Sequence, residues 1–246
     1  MTIYIIRHAE PDYTHDSLTE KGWREARLLG WRFANIQDAY FYVSPLGRAQ
    51  ATASCVLEPL GASAEVMPWL REFNHGYHVS PAFHPAGQAW DLLPSVWADD
   101  PIYVDPENWY RAPAYVGSGV EDAWQTVADG LDAVLARHGY VRDGRIYRAE
   151  RPNKENVFLF CHYGVECVLL SHLMNCSPVI FWQQSVALPS GVTILSTEER
   201  EPGRAVFRMS RFGDLSHLAV GGEAPSFYAR YRETYDDDAE EKRTQG

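Results

Sequence analysis

Hydrophobic residues recur along this chain of 246 residues in two kinds of pattern, one typical of buried strands and the other of amphipathic helices. The run from Thr2 to Ile6 is β-branched and aromatic, which is typical of a buried strand. Behind it, Thr19 is the predicted N-cap of a helix whose apolar residues recur from Ala26 to Phe33 at intervals of three and four. Strands that alternate with such helices predict a mostly parallel sheet with helices on both of its faces.

The same alternation continues along the chain and predicts the remaining regular elements. Further strands are predicted at residues 40–43, 64–67, 157–161, 192–196 and 205–211, and further helices at 46–60, 120–135, 165–174 and 227–231. Val157 to Cys161 is an unbroken apolar run, as expected for a strand that is covered on both faces. The predicted fold class is therefore α/β, with three α/β/α layers.

One stretch departs from this pattern and predicts an insertion. Residues 73–118 are rich in proline and aromatic residues, and only 88–96 has the character of a short helix. Because the stretch has few apolar runs of its own, we expect an irregular, lid-like insertion over the sheet rather than an independent domain. The expected organisation is a single domain at 1–235, followed by an acidic, disordered tail at 236–246.

Composition narrows the classes of protein that this chain can represent. The 22 Lys and Arg against 33 Asp and Glu give a net charge of −11, which argues against a nucleic-acid partner. No apolar run approaches the length of a membrane span, and no apolar leader follows a basic N-terminus. Because the four cysteines lack the spacing of a disulfide framework or zinc site, we expect reduced thiols and a cytoplasmic location. The oligomeric state stays open.

Charged side chains stand shortly after several predicted strands, where open α/β sheets place their chemistry. Arg7 and His8 follow the first strand, Arg48 the second, Glu72 the third, and His162 the most apolar one. Arginine grips oxyanions through a planar fork of donors, and histidine is mostly neutral and nucleophilic at cytoplasmic pH. The pair of Arg7 and His8 therefore suits a reaction at a phosphoryl group. Taken alone, Arg48 and Glu72 could be surface residues and His162 a hydrogen-bonded core histidine.

Five motifs carry these residues in a fixed order. They are Arg7-His8-Ala9, Leu18-Thr19-Glu20-Lys21-Gly22, Ser44-Pro45-Leu46-Gly47-Arg48-Ala49-Gln50-Ala51-Thr52-Ala53, Leu70-Arg71-Glu72-Phe73-Asn74-His75-Gly76 and Cys161-His162-Tyr163-Gly164. In this order they resemble the histidine phosphatase superfamily, which has the phosphoglycerate mutase-like fold. The chain departs from the family pattern at Ala9, where glycine is commoner, and at Cys161 and Tyr163, which flank the second histidine.

The resemblance implies a catalytic domain with a covalent mechanism. His8 would be the nucleophile that accepts the phosphoryl group, and Glu72 would protonate the leaving oxygen and later activate water. Arg7, Arg48 and His162 would bind the phosphoryl oxygens and stabilise charge in the transition state. No cofactor is implied.

The other histidines are predicted to lie outside this chemistry. His75, His78 and His84 have no consistent metal-ligand spacing, so we expect no metal site. His217, near the C-terminus, is predicted to be structural.

The choice between the phosphatase and the mutase branch of the family depends on the character of the insertion. Phosphoglycerate mutases carry a basic lid, whereas Arg111 is the only Lys or Arg in residues 73–118. We therefore expect a metal-independent phosphomonoester hydrolase that acts on a small phosphorylated metabolite. Two alternatives stay open: a mutase-type phosphoryl transferase, since the insertion has the length of a mutase lid, and a non-catalytic member that binds a phosphorylated ligand.

Aromatic residues of the insertion suggest how a substrate would be held. Such rings suit a phosphomonoester with an apolar or ring-bearing leaving group better than a small polyanion. Most of these rings are expected to form a small core of the insertion itself, and Trp109, Tyr110 and Arg111 are predicted to form the part of the lid that reaches substrate. The physiological substrate itself stays open.

Overall fold

An eight-stranded sheet lies at the centre of the protein, in a computed structural model that describes residues 1–226. The strands are β1 (Thr2–Arg7), β2 (Pro11–Asp12), β3 (Ser17–Leu18), β4 (Ala39–Val43), β5 (Glu65–Val66), β6 (Tyr140–Asp143), β7 (Ile146–Ala149), β8 (Asn156–Cys161), β9 (Val192–Glu201) and β10 (Arg204–Asp214). The α-helices are α1 (Glu20–Arg32), α2 (Gly47–Leu60), α3 (Pro94–Trp97), α4 (Val120–Arg137), α5 (Tyr163–Met174), α6 (Pro178–Gln184) and α7 (Ser216–Gly221). The helix predicted at 227–231 and the tail predicted at 236–246 lie outside the described residues.

The two halves of the sheet differ in strand direction. Its order is β5-β4-β8-β1-β9-β10-β7-β6, while β2 and β3 pair separately. The first four strands run parallel, whereas β9, β10, β7 and β6 pair antiparallel with their neighbours. The predicted α/β class with helices on both faces is confirmed, and the parallel half is the part that the alternation of strands and helices predicts.

The antiparallel half contains a hairpin that the sequence analysis missed. Two residues, Gly144 and Arg145, join β6 to β7, and Gly144 has a φ of 62°. Glycine reaches this left-handed conformation without strain, and glycine at the first position of a two-residue loop is a hairpin signal. Strands of four residues are too short for a periodicity search to find, so only the turn could have revealed them.

Alternate residues of β8 face opposite sides of the sheet and enter two separate hydrophobic clusters. Val157, Leu159 and Cys161 lie in the cluster that α4, α5 and α6 cover. Phe158 and Phe160 lie in the cluster that α1 and α2 cover. All five side chains are completely buried, which explains why this strand is apolar throughout rather than alternating.

The stretch 73–118 packs into the same core as α5 and α6. Trp109 lies edge-on to Trp182 of α6 and to Tyr115, with 5.6 Å between ring centroids in both cases. Trp182 in turn stacks on Phe73, at 5.3 Å. The insertion is therefore anchored from both of its ends by rings that it shares with the helices beneath it.

One predicted helix is wrong in its position. The helix expected at 88–96 is instead the single turn α3, which begins at Pro94. Proline is tolerated in the first turn of a helix but breaks its interior, so the helix cannot run through that residue. Within residues 1–226, no helix combines the length and the apolarity that crossing a membrane requires.

Trp109→Ala should lower the free energy of unfolding by about 3–5 kcal/mol, the usual cost of truncating a buried tryptophan. The indole is 3% exposed, so its removal leaves a cavity between the insertion and α6. Trp31→Ala is the matched control, because that indole is 75% exposed and its loss should change stability by less than about 0.5 kcal/mol. Urea unfolding measures both variants, and equally small losses would show that the insertion does not share the core.

Candidate active site

The parallel half of the sheet brings the predicted site residues to one edge. Arg7 ends β1 and His8 follows it, Arg48 lies in the first turn of α2 just past β4, and His162 follows β8. Because β4, β8 and β1 are adjacent and parallel, their C-terminal ends lie side by side. Glu72 reaches this edge through the short 3₁₀ turn that follows β5. The topology thus brings together residues from four separate parts of the chain.

His8 presents a neutral ring with a defined tautomer. Its Nδ1 lies 2.8 Å from the carbonyl oxygen of Ala9. A carbonyl oxygen only accepts, so Nδ1 carries the hydrogen and Nε2 keeps its lone pair. Burial, and after it the positive charges of Arg7 and Arg48, lower the pKa of His8 well below its ordinary value. The ring is therefore unprotonated at neutral pH and keeps the lone pair of Nε2.

Arg7 is completely buried, and the protein uses only part of its guanidinium group. Nη1 donates to the carbonyl oxygen of Ala187 at 2.5 Å. Nε and Nη2 are also buried, and neither has a hydrogen-bond partner among residues 1–226. A buried charge with idle donors is costly unless an anion meets it, so this group is suited to bind an oxyanion.

Arg48 is held by the loop between β2 and β3. Its Nη1 donates to Oδ1 of Asp16 at 2.7 Å, and Oδ2 of Asp16 accepts from the backbone N–H of Gly47 at 2.6 Å. Asp16 has a φ of 44°, an uncommon conformation for a residue other than glycine, and a Cβ at Gly47 would lie 2.2 Å from the Asp16 carbonyl oxygen. Both residues of this contact are therefore restricted, Asp16 by its left-handed backbone and Gly47 by the lack of space for a side chain. Nε of Arg48 is buried and, in the described part of the chain, has no partner.

His162 supplies a further donor without a charge. Its Nε2 lies 2.7 Å from Oγ of Ser44, which already accepts from the N–H of Leu46. When the hydroxyl donates to Nε2, the ring proton stands on Nδ1, and His162 is then a donor at that atom. That atom is buried with no hydrogen-bond partner within residues 1–226. Burial lowers the pKa of His162 well below its ordinary value, and so do the charge that His8 would carry if it were protonated and the charges of Arg48 and Arg7.

Glu72 is a carboxyl group enclosed by backbone. Its Oε1 accepts from the N–H groups of Phe73 at 2.7 Å and Val165 at 3.3 Å. Burial raises its pKa, and the bond from Phe73 and the charges of Arg7 and Arg48 oppose that rise. A carboxyl group whose pKa is raised towards neutrality can both give and take a proton.

Three residues at this edge escape the sequence analysis. Ser44 and Arg71 stand inside motifs that carry other site residues, and that position is the signal that could have found them. Nε of Arg71 is buried and unpartnered among the described residues, and its charge also lowers the pKa of His162. Asp16 gave no signal, because its contact with Arg48 depends on the shape of a loop.

The predicted lid residues differ in their surroundings. Trp109 is buried in the core described above, Tyr110 is partly buried, and Arg111 is exposed with its guanidinium 5.5 Å from the Tyr110 ring centroid. Only Tyr110 and Arg111 have the exposure that a contact with substrate needs, and that contact stays a prediction.

His217 supports the site from behind. Its Nε2 lies 3.0 Å from Oγ of Ser190, and the backbone N–H of Ser190 donates to the carbonyl oxygen of His8 at 3.0 Å. This position is compatible with the structural role that the sequence predicts for His217. Residues 1–226 contain no group of three or more His, Cys, Asp or Glu side chains arranged to hold a metal ion.

Comparison with known proteins assigns the family. The profile of the histidine phosphatase superfamily (branch 1) matches residues 3–208, and the chain belongs to this superfamily. A probable phosphoglycerate mutase GpmB of Erwinia tasmaniensis is 31% identical over 85 residues, which are 31% of this chain and 40% of the mutase. A putative phosphoserine phosphatase 2 of Hydrogenobacter thermophilus is 28% identical over 145 residues, which are 55% of this chain and 68% of that protein. The chain thus spans less than half the length of the mutase that it matches.

Solved structures share the fold at low sequence identity. YhfR of Bacillus stearothermophilus is 24% identical, with a TM-score of 0.57 over 88% of this chain and 98% of YhfR. A phosphoserine phosphatase of Entamoeba histolytica in complex with 3-phosphoglyceric acid is 17% identical, with the same TM-score and coverage. A mycobacterial glucosyl-3-phosphoglycerate phosphatase is 20% identical, with a TM-score of 0.55 over 86% of this chain and 98% of that one. These likenesses show the α/β fold alone.

A second buried carboxyl group lies behind the site, in α5. Oε1 of Glu166 accepts from the hydroxyl of Thr193 at 2.5 Å, and Oε2 is buried without a partner in the described residues. Burial raises the pKa of Glu166 to about 7, although the Thr193 hydroxyl and the charge of Arg7 oppose the shift. The folded protein therefore keeps this group protonated where the unfolded chain releases the proton.

Glu166→Gln should make the stability of the protein less dependent on pH. Between the ordinary pKa of 4.5 and the folded value of about 7, the folded state binds more protons than the unfolded state. The free energy of unfolding of the wild type should therefore fall, relative to the variant, as pH rises from 5 to 8, by about 3 kcal/mol at most. Urea unfolding at four pH values measures the difference.

Glu65→Gln is the control for this experiment. Glu65 is exposed, and its hydrogen bond with Arg137 lowers its pKa, so the group is ionised in both states from pH 5 to 8. The stability difference between this variant and the wild type should stay constant over that range. A constant difference for Glu166→Gln as well would contradict the raised pKa.

Proposed function

We propose that this protein is a metal-independent phosphomonoester hydrolase that acts on a small phosphorylated metabolite through a phosphohistidine at His8. The observation that carries the proposal is the set of buried donors around that ring. Nε and Nη2 of Arg7, Nε of Arg48 and Nδ1 of His162 have no hydrogen-bond partner among residues 1–226. The non-bridging oxygens of a phosphoryl group would accept these bonds while Nε2 of His8 faces phosphorus.

The first half-reaction would transfer the phosphoryl group to the protein. Nε2 of His8 forms a bond with phosphorus while the bond from phosphorus to the ester oxygen breaks. Arg7 and Arg48 stabilise the negative charge on the non-bridging oxygens in the in-line transition state. The leaving oxygen takes the proton of Glu72 and departs as an alcohol. The bond from Nδ1–H to Ala9 keeps the phosphorylated ring in place.

The second half-reaction would return the site to its starting state. Glu72, now a carboxylate, removes a proton from a water molecule, and the water oxygen attacks phosphorus. The bond from phosphorus to Nε2 breaks, His8 recovers its neutral ring, and inorganic phosphate leaves. Burial of Glu72 supports both steps, because a carboxyl group with a raised pKa holds its proton for the leaving oxygen and accepts one from water.

The names of the relatives support a small metabolite as substrate. A phosphoserine phosphatase is among the curated relatives, and a glucosyl-3-phosphoglycerate phosphatase is among the similar structures. The GpmB match supports the mutase alternative, in which the phosphoryl group returns to a second hydroxyl of bound substrate. Hydrolysis is preferred because the insertion contains a single cation to retain a second phosphorylated species. A cytoplasmic location belongs to the same proposal and is supported by four free thiols.

His8→Ala should lower turnover of phosphomonoesters by at least about 10³-fold, since the covalent route is lost with the nucleophile. The assay is a screen of esters in excess chelator, together with trapping of acid-labile ³²P on the protein. His78→Ala, an exposed histidine of the insertion, is the control that should keep both turnover and label.

The same screen separates the three candidate functions. With 3-phosphoglycerate, release of inorganic phosphate supports the hydrolase, whereas formation of an isomeric phosphoglycerate without release supports the mutase. Binding of phosphate without turnover or label would favour a non-catalytic member. Full activity of His8→Ala, or loss of wild-type activity in chelator, would contradict the mechanism.

Glu72→Gln should slow the hydrolysis of an alkyl phosphate by about 10²–10⁴-fold, the usual contribution of a general acid. Glutamine keeps an oxygen for the N–H groups of Phe73 and Val165 but has no proton to give. The burst of p-nitrophenol from p-nitrophenyl phosphate should change far less, because that leaving group departs as an anion. Rapid-quench kinetics measure both first half-reactions, and equal losses would remove Glu72 from the acid role.

A further inference from the structure

Tyr163, directly after the second histidine, is one of the residues at which the chain departs from the family pattern. Its side chain is 2% exposed and lies at the start of α5, between the sheet edge and α6. A glycine at this position would provide none of the contacts that the ring and the hydroxyl make. Those contacts depend on the tyrosine side chain, and the contacts of the ring and of the hydroxyl both lead to Arg7.

The ring of Tyr163 lies against Arg7. The central carbon of the guanidinium group is 5.6 Å from the ring centroid, which is within the range of a cation–π interaction. Both groups are buried, so water does not weaken the attraction. The contact holds one side of a guanidinium group that has only one hydrogen bond to protein, to Ala187, among residues 1–226.

The hydroxyl of Tyr163 reaches the segment that provides that one bond. It lies 2.6 Å from the carbonyl oxygen of Ser185 and 3.0 Å from that of Phe181, at the C-terminal end of α6. The last carbonyls of a helix lack partners within the helix, and this hydroxyl supplies one. Two residues further on, the carbonyl oxygen of Ala187 accepts from Nη1 of Arg7 at 2.5 Å.

We propose that Tyr163 is a positioning residue that fixes the guanidinium group of Arg7 for the phosphoryl group. Its ring supports the guanidinium directly, and its hydroxyl fixes the segment whose carbonyl holds Nη1. With these two restraints, Nε and Nη2 keep the direction in which they would meet phosphoryl oxygens. The inference rests on the proposed function, since it assigns Arg7 to an oxyanion.

Two substitutions separate the ring from the hydroxyl. Tyr163→Phe keeps the ring against Arg7 and removes the bond to Ser185, whereas Tyr163→Leu removes both. We expect the dissociation constant of orthovanadate to rise by about threefold to tenfold in the first variant and by up to about 10²-fold in the second, because a small misplacement of a binding group has an effect of this size. Isothermal titration calorimetry measures orthovanadate and inorganic phosphate.

Tyr147→Phe is the matched control for a structural effect. Tyr147 lies in β7, in the antiparallel half of the sheet, and is as deeply buried as Tyr163. Its hydroxyl donates to Asp132 at 2.8 Å. Its loss should lower the melting temperature without changing either dissociation constant. If Tyr163→Phe and Tyr163→Leu also lose stability alone and bind both anions as the wild type does, the positioning role is overturned.

The decisive test repeats the Tyr163→Phe substitution in a protein that already carries Arg7→Ala. If Tyr163 acts through Arg7, then Tyr163→Phe should weaken orthovanadate binding by less than about twofold once Arg7 is absent, because coupled residues are not additive. A full additional loss would overturn the proposal. Binding is measured without turnover. A wild type that binds the anions but hydrolyses no ester would contradict the proposed hydrolase function, and the binding data would still test the positioning role of Tyr163. A wild type that binds neither anion contradicts both.

Discussion

A guanidinium group buried at the end of the first strand is the constraint on which the site depends. The protein satisfies one of the donors of Arg7 and leaves two without a partner among residues 1–226. The positive charge of Arg7 lies in a region of low dielectric, where its field acts strongly on neighbouring groups. It disfavours protonation of His8 and His162 and limits the rise in the pKa of Glu72. One buried cation thus contributes to the protonation state of three groups that would take part in catalysis.

The sequence predicts the parts of this arrangement that follow from local pattern. Arg7, His8 and His162 stand directly after strands that are apolar enough to recognise, and parallel strands bring their ends together. The enclosure of Glu72 could not be predicted in the same way, because its carboxylate oxygen is held partly by a backbone N–H from a segment 93 residues away. The contact of Asp16 with Arg48 depends on a left-handed residue within a loop, which a single sequence does not reveal.

The insertion shows a second limit of sequence pattern. Trp109 was predicted to reach substrate, yet it is buried against α6, as is Tyr115. A ring in an irregular segment has no periodicity to say which way it faces, so composition alone could not distinguish core from lid. The motifs that carry the family resemblance did not help either, since none of them lies in this segment beyond Gly76. The regular half of the fold was predictable because periodicity reports burial directly.

The position of β1 in the sheet has a consequence for how the protein is made. Thr2 pairs with Asn156 on one side and with Ser196 on the other, so the N-terminal strand has no neighbour until those segments exist. Contacts between residues this far apart close slowly, and a chain emerges from the ribosome from its N-terminus. His8 is synthesised well before β9, yet its surroundings are completed only when β9 emerges. During synthesis the apolar strand β1 therefore stays unpaired until β8 and β9 have been made.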